Sequence, residues 1–300
     1  MSLDKMFLVV NPCSGRAKMR NHLLGILQIF SDAGYEVTVY PTKCVGDAAR
    51  AVGSLKNGEY DIVVCCGGDG TLNETITGMI NSNLNCKVGY IPSGTLNEWS
   101  GSLGIAKNVA RAAKDILDMN TLALDIGGFS GDKFFCYTAS FGAFTEPSYT
   151  TRQDLKNIWG QAAYIFEGIK SVANIKPIPL TITTEDKKIS GDFIFGAVSN
   201  SLSLGGVLKL DERIVNLSDG LFEVVLIRNP KNLSEFQTIV DAIIKKDLTR
   251  PGIEFFHASN ITVESEGILN WTLDGEHASS ENIVKIFNMR EKINFIVPKK

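Results

Sequence analysis

Up to about residue 127, short runs rich in β-branched and aromatic residues alternate with stretches whose apolar positions recur at helical spacing. The runs are KMFLVV (5–10), YEVTVY (35–40), YDIVVCC (60–66), CKVGYI (86–91) and TLALDI (121–126). Strands separated by helices in this way predict a parallel, Rossmann-like α/β sheet, because a parallel crossover needs a long connection and a helix supplies it. Between the first two runs Leu23, Leu24, Leu27 and Phe30 recur at helical intervals, and Asp32-Ala33-Gly34 ends that helix. Ligands of such sheets gather at the carboxyl ends of the strands, so the residues that follow each run are the candidate chemistry.

After residue 127 the texture changes to paired strands joined by turn residues: LTITTEDKKISGDFIFGAVSN (180–200), GLFEVVLI (220–227) and ITVESEGILNWTLDGE (261–276). This predicts a mostly antiparallel β-sandwich. Helical patterns at 155–172 and 233–246 interrupt it, and the apolar face of the first, with Trp159 and Phe166, reads as core packing. A last strand, KINFIVP (292–298), can pair with either domain.

Composition narrows the classes. The 300 residues, 44% hydrophobic and 21% charged, give two domains enough apolar material for real cores. A net charge of -3 provides no basic field for the nucleic-acid backbone, so no nucleic-acid partner is expected. The six cysteines contain no CxxC pair, which removes a zinc or disulfide framework. With no secretory signal and no apolar run approaching about 18 residues, a cytoplasmic protein is expected.

The loops then carry the argument. The third run delivers CCGGDGTLNET (65–75), where Gly67, Gly68 and Gly70 permit positive φ and leave backbone N–H groups bare for an anionic ligand. The first run delivers NPCSG (11–15), the second PTKCVGDAAR (41–50), and the fourth PSGTLNEW (92–99), so two Gly-Thr loops share one sheet end. Helix caps and plain turns explain each of these singly. Asp69 is the one carboxylate inside the first glycine loop; among phosphate-cradling amides it is suited to a magnesium ion, and equally to capping a helix. GxxxxGK[ST] is absent, and GDGTLN lacks the third glycine of GxGxxG, which argues against a P-loop enzyme and a Rossmann dehydrogenase. Far downstream, WTLDGEHA (271–278) places Asp274 and Glu276 around Gly275, on one side if the segment is extended; taken alone, Asp-Gly reads better as a hairpin turn.

NPCSG, GGDGTLNE, PSGTLNEW, LSDGLFEV and LDGE, in this order, resemble the bacterial diacylglycerol kinase-like lipid kinases of the diacylglycerol/sphingosine kinase superfamily, which is related to the NAD kinases. The resemblance implies an α/β nucleotide-binding catalytic domain over 1–127, joined by 288–300, and a β-sandwich lipid-substrate domain over 128–287, with an active cleft between them. It implies transfer of the γ-phosphate of ATP to a lipid hydroxyl with Mg2+. The nucleotide-binding set is then Asn11, Ser14, Gly15, Thr42, Gly67, Gly68, Asp69, Gly70, Thr71, Asn73, Glu74, Gly94, Thr95 and Asn97. Asp69, Asp274 and Glu276 are the catalytic acids. LDGE supplies the proton acceptor, and the shorter Asp274 is favoured over Glu276 as the more rigidly held. In NLSDGLFEV (216–224), a structural cation is implied at Asn216, Asp219 and Leu221, with a hairpin turn as the alternative; Asp69 is the other metal ligand. The chain departs from the family pattern at NEWS (97–100) and at Thr138. A lipid met at the membrane surface by a peripheral protein is the expected partner, and a homodimer is left open. NPCSG and LDGE favour this reading over an NAD kinase, and the intact acids favour it over a non-catalytic nucleotide-binding regulator.

Overall fold

A computed structural model describes residues 4–17, 19–94, 97–142, 176–204 and 208–299. The helix expected over 155–172 and the expected site residue Thr95 lie outside them. The chain divides into two compact units, one of Met1–Ile126 with Glu291–Lys300, the other of Gly127–Arg290. The divisions that the resemblance implies lie one residue later and three residues earlier.

The first unit is built on β1 (Asp4–Val10), β2 (Tyr35–Pro41), β3 (Ile62–Gly67) and β4 (Lys87–Pro92), all parallel in the order β2-β1-β3-β4. Every residue of β3 is buried, and so are the last five of β1, as central parallel strands covered on both faces require. Helices α1 (Ser14–Ala17) and α2 (Met19–Asp32) follow β1, and α3 (Asp47–Gly53) follows β2. α4 (Asp69–Asn81) follows β3, and α5 (Glu98–Ser102) and α6 (Val109–Leu117) follow β4. The chain leaves β1 toward β2 and then recrosses to β3, so the order reverses between β1 and β3, and the loops after these strands flank that switch point. The inward face of α2 differs from expectation. Met19, Ile26 and Phe30 are buried at helical spacing, whereas Leu24, about 140° away from their common face, is 81% exposed.

The second unit begins within β5 (Thr121–Phe129) and continues through β6 (Lys133–Phe135), β7 (Thr138–Gly142), β8 (Ile178–Thr183), β9 (Lys188–Ser199), β10 (Ser203–Leu204) and β11 (Leu208–Lys209). β12 (Phe222–Arg228), α7 (Leu233–Lys245), β13 (Ile253–Ala258), β14 (Asn260–Ser265), β15 (Trp271–Leu273) and β16 (Glu276–Ala278) follow. Its strand pairs are antiparallel, in the order β16-β15-β7-β9-β8-β14, with β12 between β9 and β13. β9 and β12 read as continuous apolar runs because both of their faces are covered. Phe193, Val198, Val224 and Leu226 join a core with Phe141, Trp271 and Ile286, while Ile194, Phe195, Val225 and Ile227 pack against Ile239, Ala242 and Ile243 of α7. Each such large side chain contributes about 1.5–3 kcal/mol on burial. Asn232 caps α7 by accepting the Glu235 N–H at 2.9 Å.

The final strand, β17 (Ile283–Ile296), resolves the open pairing of the sequence in an unexpected way. Its first part pairs antiparallel with β14 from Ile283 to Phe287, and Phe295 pairs parallel with Val88 of β4.

Candidate active site

Three loops at the carboxyl end of the first unit's sheet lock into one another. After β1, Asn11 donates its backbone N–H to Cys66 O (2.9 Å) and its amide to Thr71 Oγ1 (3.0 Å), which ties this loop to the start of α4. Ser14 Oγ reaches both Asn11 O (3.0 Å) and Ser93 Oγ (2.5 Å), and Ser93 N–H donates to Gly67 O (2.8 Å). NPCSG, GGDGT and PSG are therefore held together by bonds among the loops themselves.

The glycines show why. Gly15 adopts a φ of 56°, and a Cβ on it would lie 2.0 Å from Ser93 O. A Cβ on Gly67 would lie 2.5 Å from the Thr71 Cβ, and one on Gly94 would lie 2.6 Å from the Gly68 Cα. The positive φ that glycine permits is used at none of Gly67, Gly68 and Gly70. Gly68 is extended, with φ -92° and ψ -176°. What excludes side chains at Gly67 and Gly68 is the approach of Thr71 and of the neighbouring loop, a reason invisible to local sequence.

Helix α4 begins at Asp69 with no side-chain cap, and Leu72 is the first residue to donate along the helix, to Gly68 O. The first-turn N–H groups point out of the helix start, as an anion-binding terminus requires. Asp69 Oδ2 accepts the Glu98 N–H at 3.0 Å, so the fourth-strand loop fixes the orientation of this acid. Asn97 organises that loop: at φ 50°, it accepts from Gly94 N (2.9 Å) and Tyr90 Oη (3.2 Å) and donates to Gly94 O (2.8 Å). Trp99, a departure from the family pattern that the sequence left without a role, is fully buried with its ring 5.0 Å from that of Phe295. Asn73 Oδ1 lies 3.4 Å from the Thr77 hydroxyl on the next turn of α4.

The Thr42 loop is held from two sides. Thr42 N–H donates to Val10 O (2.8 Å), Asp47 accepts from Lys43 N (2.8 Å), and Glu74 of α4 accepts from Gly46 N (2.7 Å) and Ala48 N (3.2 Å). The Lys43 N–H foremost, with the Tyr40 hydroxyl and Arg50 adding and burial opposing, keeps the Asp47 carboxyl below its ordinary range. Glu74, expected among the nucleotide contacts, thus commits both oxygens to the protein backbone.

In the second unit, Asp274 and Gly275 form the β15–β16 hairpin, with φ of 51° and 84° and Leu273 paired to Glu276. Positive φ at both central residues is the demand of a tight two-residue hairpin, and Asp-Gly meets it. The extended geometry that would put Asp274 and Glu276 on one side is therefore absent. Asp274 is 4% exposed and accepts the N–H groups of Cys136 (2.7 Å), Tyr137 (2.9 Å) and Thr138 (3.1 Å), while Tyr137 Oη donates to Asp274 O (2.8 Å). Glu276 stands exposed at the start of β16, and no hydrogen bond or ion pair among the described residues takes up its carboxylate. The rigidity expected of Asp274 is real, but it comes from fastening the hairpin to the β6–β7 connection.

Around the implied cation position, Asn216 Oδ1 accepts from Ser218 N (3.2 Å) and Asp219 Oδ1 from Leu221 N (2.9 Å), two consecutive side-chain-closed turns. No group of three or more His, Cys, Asp or Glu among the described residues could by itself hold a metal ion. Magnesium is bound through one or two carboxylates with the remaining positions filled by water and substrate phosphate. Asp69, a hard oxygen donor fixed at the start of an uncapped helix, fits that requirement.

Comparison with known proteins adds an independent line. Residues 5–129 match the family described as the diacylglycerol kinase catalytic domain, and 148–286 match the YegS C-terminal NAD kinase beta sandwich-like domain. A diacylglycerol kinase of Bacillus subtilis (strain 168) is 30% identical over 294 residues, 97% of this chain and 96% of that protein. One from Staphylococcus epidermidis is 29% identical over 293 residues, 97% of this chain and 92% of its own length. A solved structure from Bacillus anthracis str. Sterne superposes with a TM-score of 0.82 at 25% identity, covering 99% of this chain and 96% of that one. Another from the same organism, titled a diacylglycerol kinase, shares the fold with a TM-score of 0.75 at 21% identity, covering 99% and 98%.

Proposed function

Because the chain belongs to the diacylglycerol kinase family, a family of lipid kinases, we propose that it transfers the γ-phosphate of ATP to the hydroxyl of a diacylglycerol-like lipid, with Mg2+. The observation that carries this reading is the uncapped start of α4, set among three interlocked loops and bearing one fixed acid, Asp69. Backbone N–H groups of the first turn would hold phosphate oxygens, and Thr42 would meet the nucleotide. Asp69 would hold the metal, which when bound neutralises charge on the phosphates. The lipid oxygen forms its bond to the γ-phosphorus as the bridging bond to the β-phosphate breaks, ADP leaves, and the hydroxyl proton passes to a carboxylate.

Glu276 is that carboxylate in our reading. A general base must come within hydrogen-bond reach of the proton it accepts, and exposed Glu276 offers that reach more readily than Asp274, which is buried and bonded to three backbone N–H groups. Asp274 holds the hairpin that presents Glu276. Residues 216–221 would hold a structural cation through backbone carbonyls and Asp219. No helix among the described residues is long and apolar enough to cross a membrane, which suits an enzyme that meets its lipid at the membrane surface.

Labelled ATP incubated with the protein and a total lipid extract should give a labelled phospholipid identifiable by mass. Faster formation of NADP from NAD than of any phospholipid would overturn the reading. Glu276→Gln should cost roughly two to four powers of ten in kcat with little change in ATP affinity. Asp274→Asn puts an amide N–H2 against backbone donors and should lower stability as well as activity. A Glu276→Gln enzyme of normal kcat would return the base to Asp274.

A further inference from the structure

Glu74 ends the GGDGTLNE stretch one turn beyond the start of α4, facing away from the glycine loop toward α3. The two helices approach closely: a Cβ on Gly78 would lie 2.6 Å from Ala49 O and 3.0 Å from Gly53 N. Gly46, the residue before α3, sits at φ 78° and brings no side-chain cap of its own. The Glu74 carboxylate takes that place from the neighbouring helix, with Oε1 on the Gly46 N–H and Oε2 on the Ala48 N–H. Between these two residues, Asp47 fastens the Lys43 N–H. Residues 43–48 are thus gripped at three backbone N–H groups by two acids, and Thr42 stands directly before them.

We propose that Glu74 is a positioning residue for nucleotide binding: it holds the 42–48 loop, and through it Thr42, in register with the phosphate loop of its own helix. This rests on the kinase reading above, and specifically on Thr42 meeting the nucleotide. The chemistry at position 74 is demanding. Two N–H donors need two acceptor oxygens at the end of a side chain of this length. Glutamine offers one acceptor and sets its own N–H2 against the other donor, and aspartate is one methylene short.

The test is Mg-ATP binding to the full chain by titration calorimetry in the absence of lipid, followed by steady-state kinetics. Glu74→Gln should bind Mg-ATP about tenfold more weakly, the scale of one unmet hydrogen bond, and raise KM for ATP with KM for the lipid unchanged. A role confined to stability would move both or neither. In a Thr42→Ala background the Glu74→Gln effect should largely vanish, because the contact through which it acts is gone; full multiplication of the two effects would overturn the proposal. Should Glu74→Gln melt below the assay temperature, Glu74→Asp replaces it, with a several-fold loss of affinity expected and wild-type affinity overturning the idea. Wild-type protein that binds Mg-ATP beside a Glu74→Gln variant of equal affinity sinks this proposal alone. Wild-type protein that does not bind Mg-ATP sinks the kinase reading and this proposal together.

Discussion

The pentapeptide GTLNE occurs twice, at 70–74 and 94–98, each copy following a buried parallel strand of the same sheet. The first copy lies wholly within α4. Its Thr71 receives a hydrogen bond from Asn11, and its Glu74 reaches across to the start of α3. The second copy includes a loop. Asn97, in the left-handed region, ties itself to both backbone polar groups of Gly94, and Glu98 opens α5 and gives its N–H to Asp69. The glycine and asparagine of the two copies take up different backbones because their neighbours differ. Copy one is preceded by Gly68-Asp69 and runs into an apolar helical repeat, with Leu72, Ile76 and Met79 buried; copy two runs into the five-residue helix α5, whose Trp99 is buried against Phe295. Local propensity is a weak prior that packing overrides. Under the proposed kinase reading the difference matters to the site, since one copy lies in the first turns of α4 and the other orients the acid at its start.

The most severe way to break the second copy is Gly94→Ala. Its Cβ would meet the Gly68 Cα at 2.6 Å and Asn97 Oδ1 at 2.7 Å, and the backbone opposite cannot rotate away. Overpacking of this kind costs about 1–3 kcal/mol or more, and here it separates the very loops that would receive phosphate. We expect Mg-ATP binding to fall below detection by calorimetry while a folded circular-dichroism spectrum is kept. Wild-type affinity in this variant would show that the loop contact has no part in the site.

A smaller change sharpens the contrast between conformations. Asn97→Ala removes three hydrogen bonds and leaves an alanine at positive φ, a loss of about 2–4 kcal/mol from net hydrogen bonding and left-handed strain. Asn97→Gly removes the same bonds without the strain and should recover about 1 kcal/mol of that loss in a urea titration. Equal losses for the two variants would mean that the loop relaxes out of the left-handed region once the side chain is gone.

These contrasts mark what the sequence could and could not disclose. Strands were legible because β-branched runs bounded by glycine, proline and asparagine set their own limits, and the motif loops fell at strand ends as the parallel sheet dictates. The roles inside the loops were not, because they depend on residues far away in sequence. Gly67 and Gly68 are explained by Thr71 and Gly94, Glu74 by Gly46 and Ala48, and Asp274 by the amides of 136–138. The LDGE hairpin was available from Asp-Gly alone, and the extended alternative fails because glycine and aspartate together favour positive φ. The long β17 escaped notice as one element, since polar residues such as Arg290, Glu291 and Lys292 interrupt its apolar pattern midway.

The smallest expected effect concerns Asp47, the partner of the first copy's Glu74 in holding the Thr42 loop. Its carboxyl is held below the ordinary range chiefly by the Lys43 N–H, so the ionised form is favoured by folding. A carboxyl with a lowered folded pKa contributes stability that is fully present above its unfolded pKa, about 3.9, and is lost as pH falls through the lower folded value. Asp47→Asn should therefore be less stable than wild type by the same small margin at pH 7 and pH 5, with the margin closing only below about pH 4. The margin is small because the Arg50 that also bonds Asp47 has a side chain 64% exposed, where water and salt weaken the ion pair, and the backbone bond to Lys43 can be partly kept by the amide oxygen. Urea midpoints of the two proteins measured side by side across this range decide the matter. A margin that persists unchanged to pH 3 would show that the shape of the side chain, rather than its charge, secures the loop.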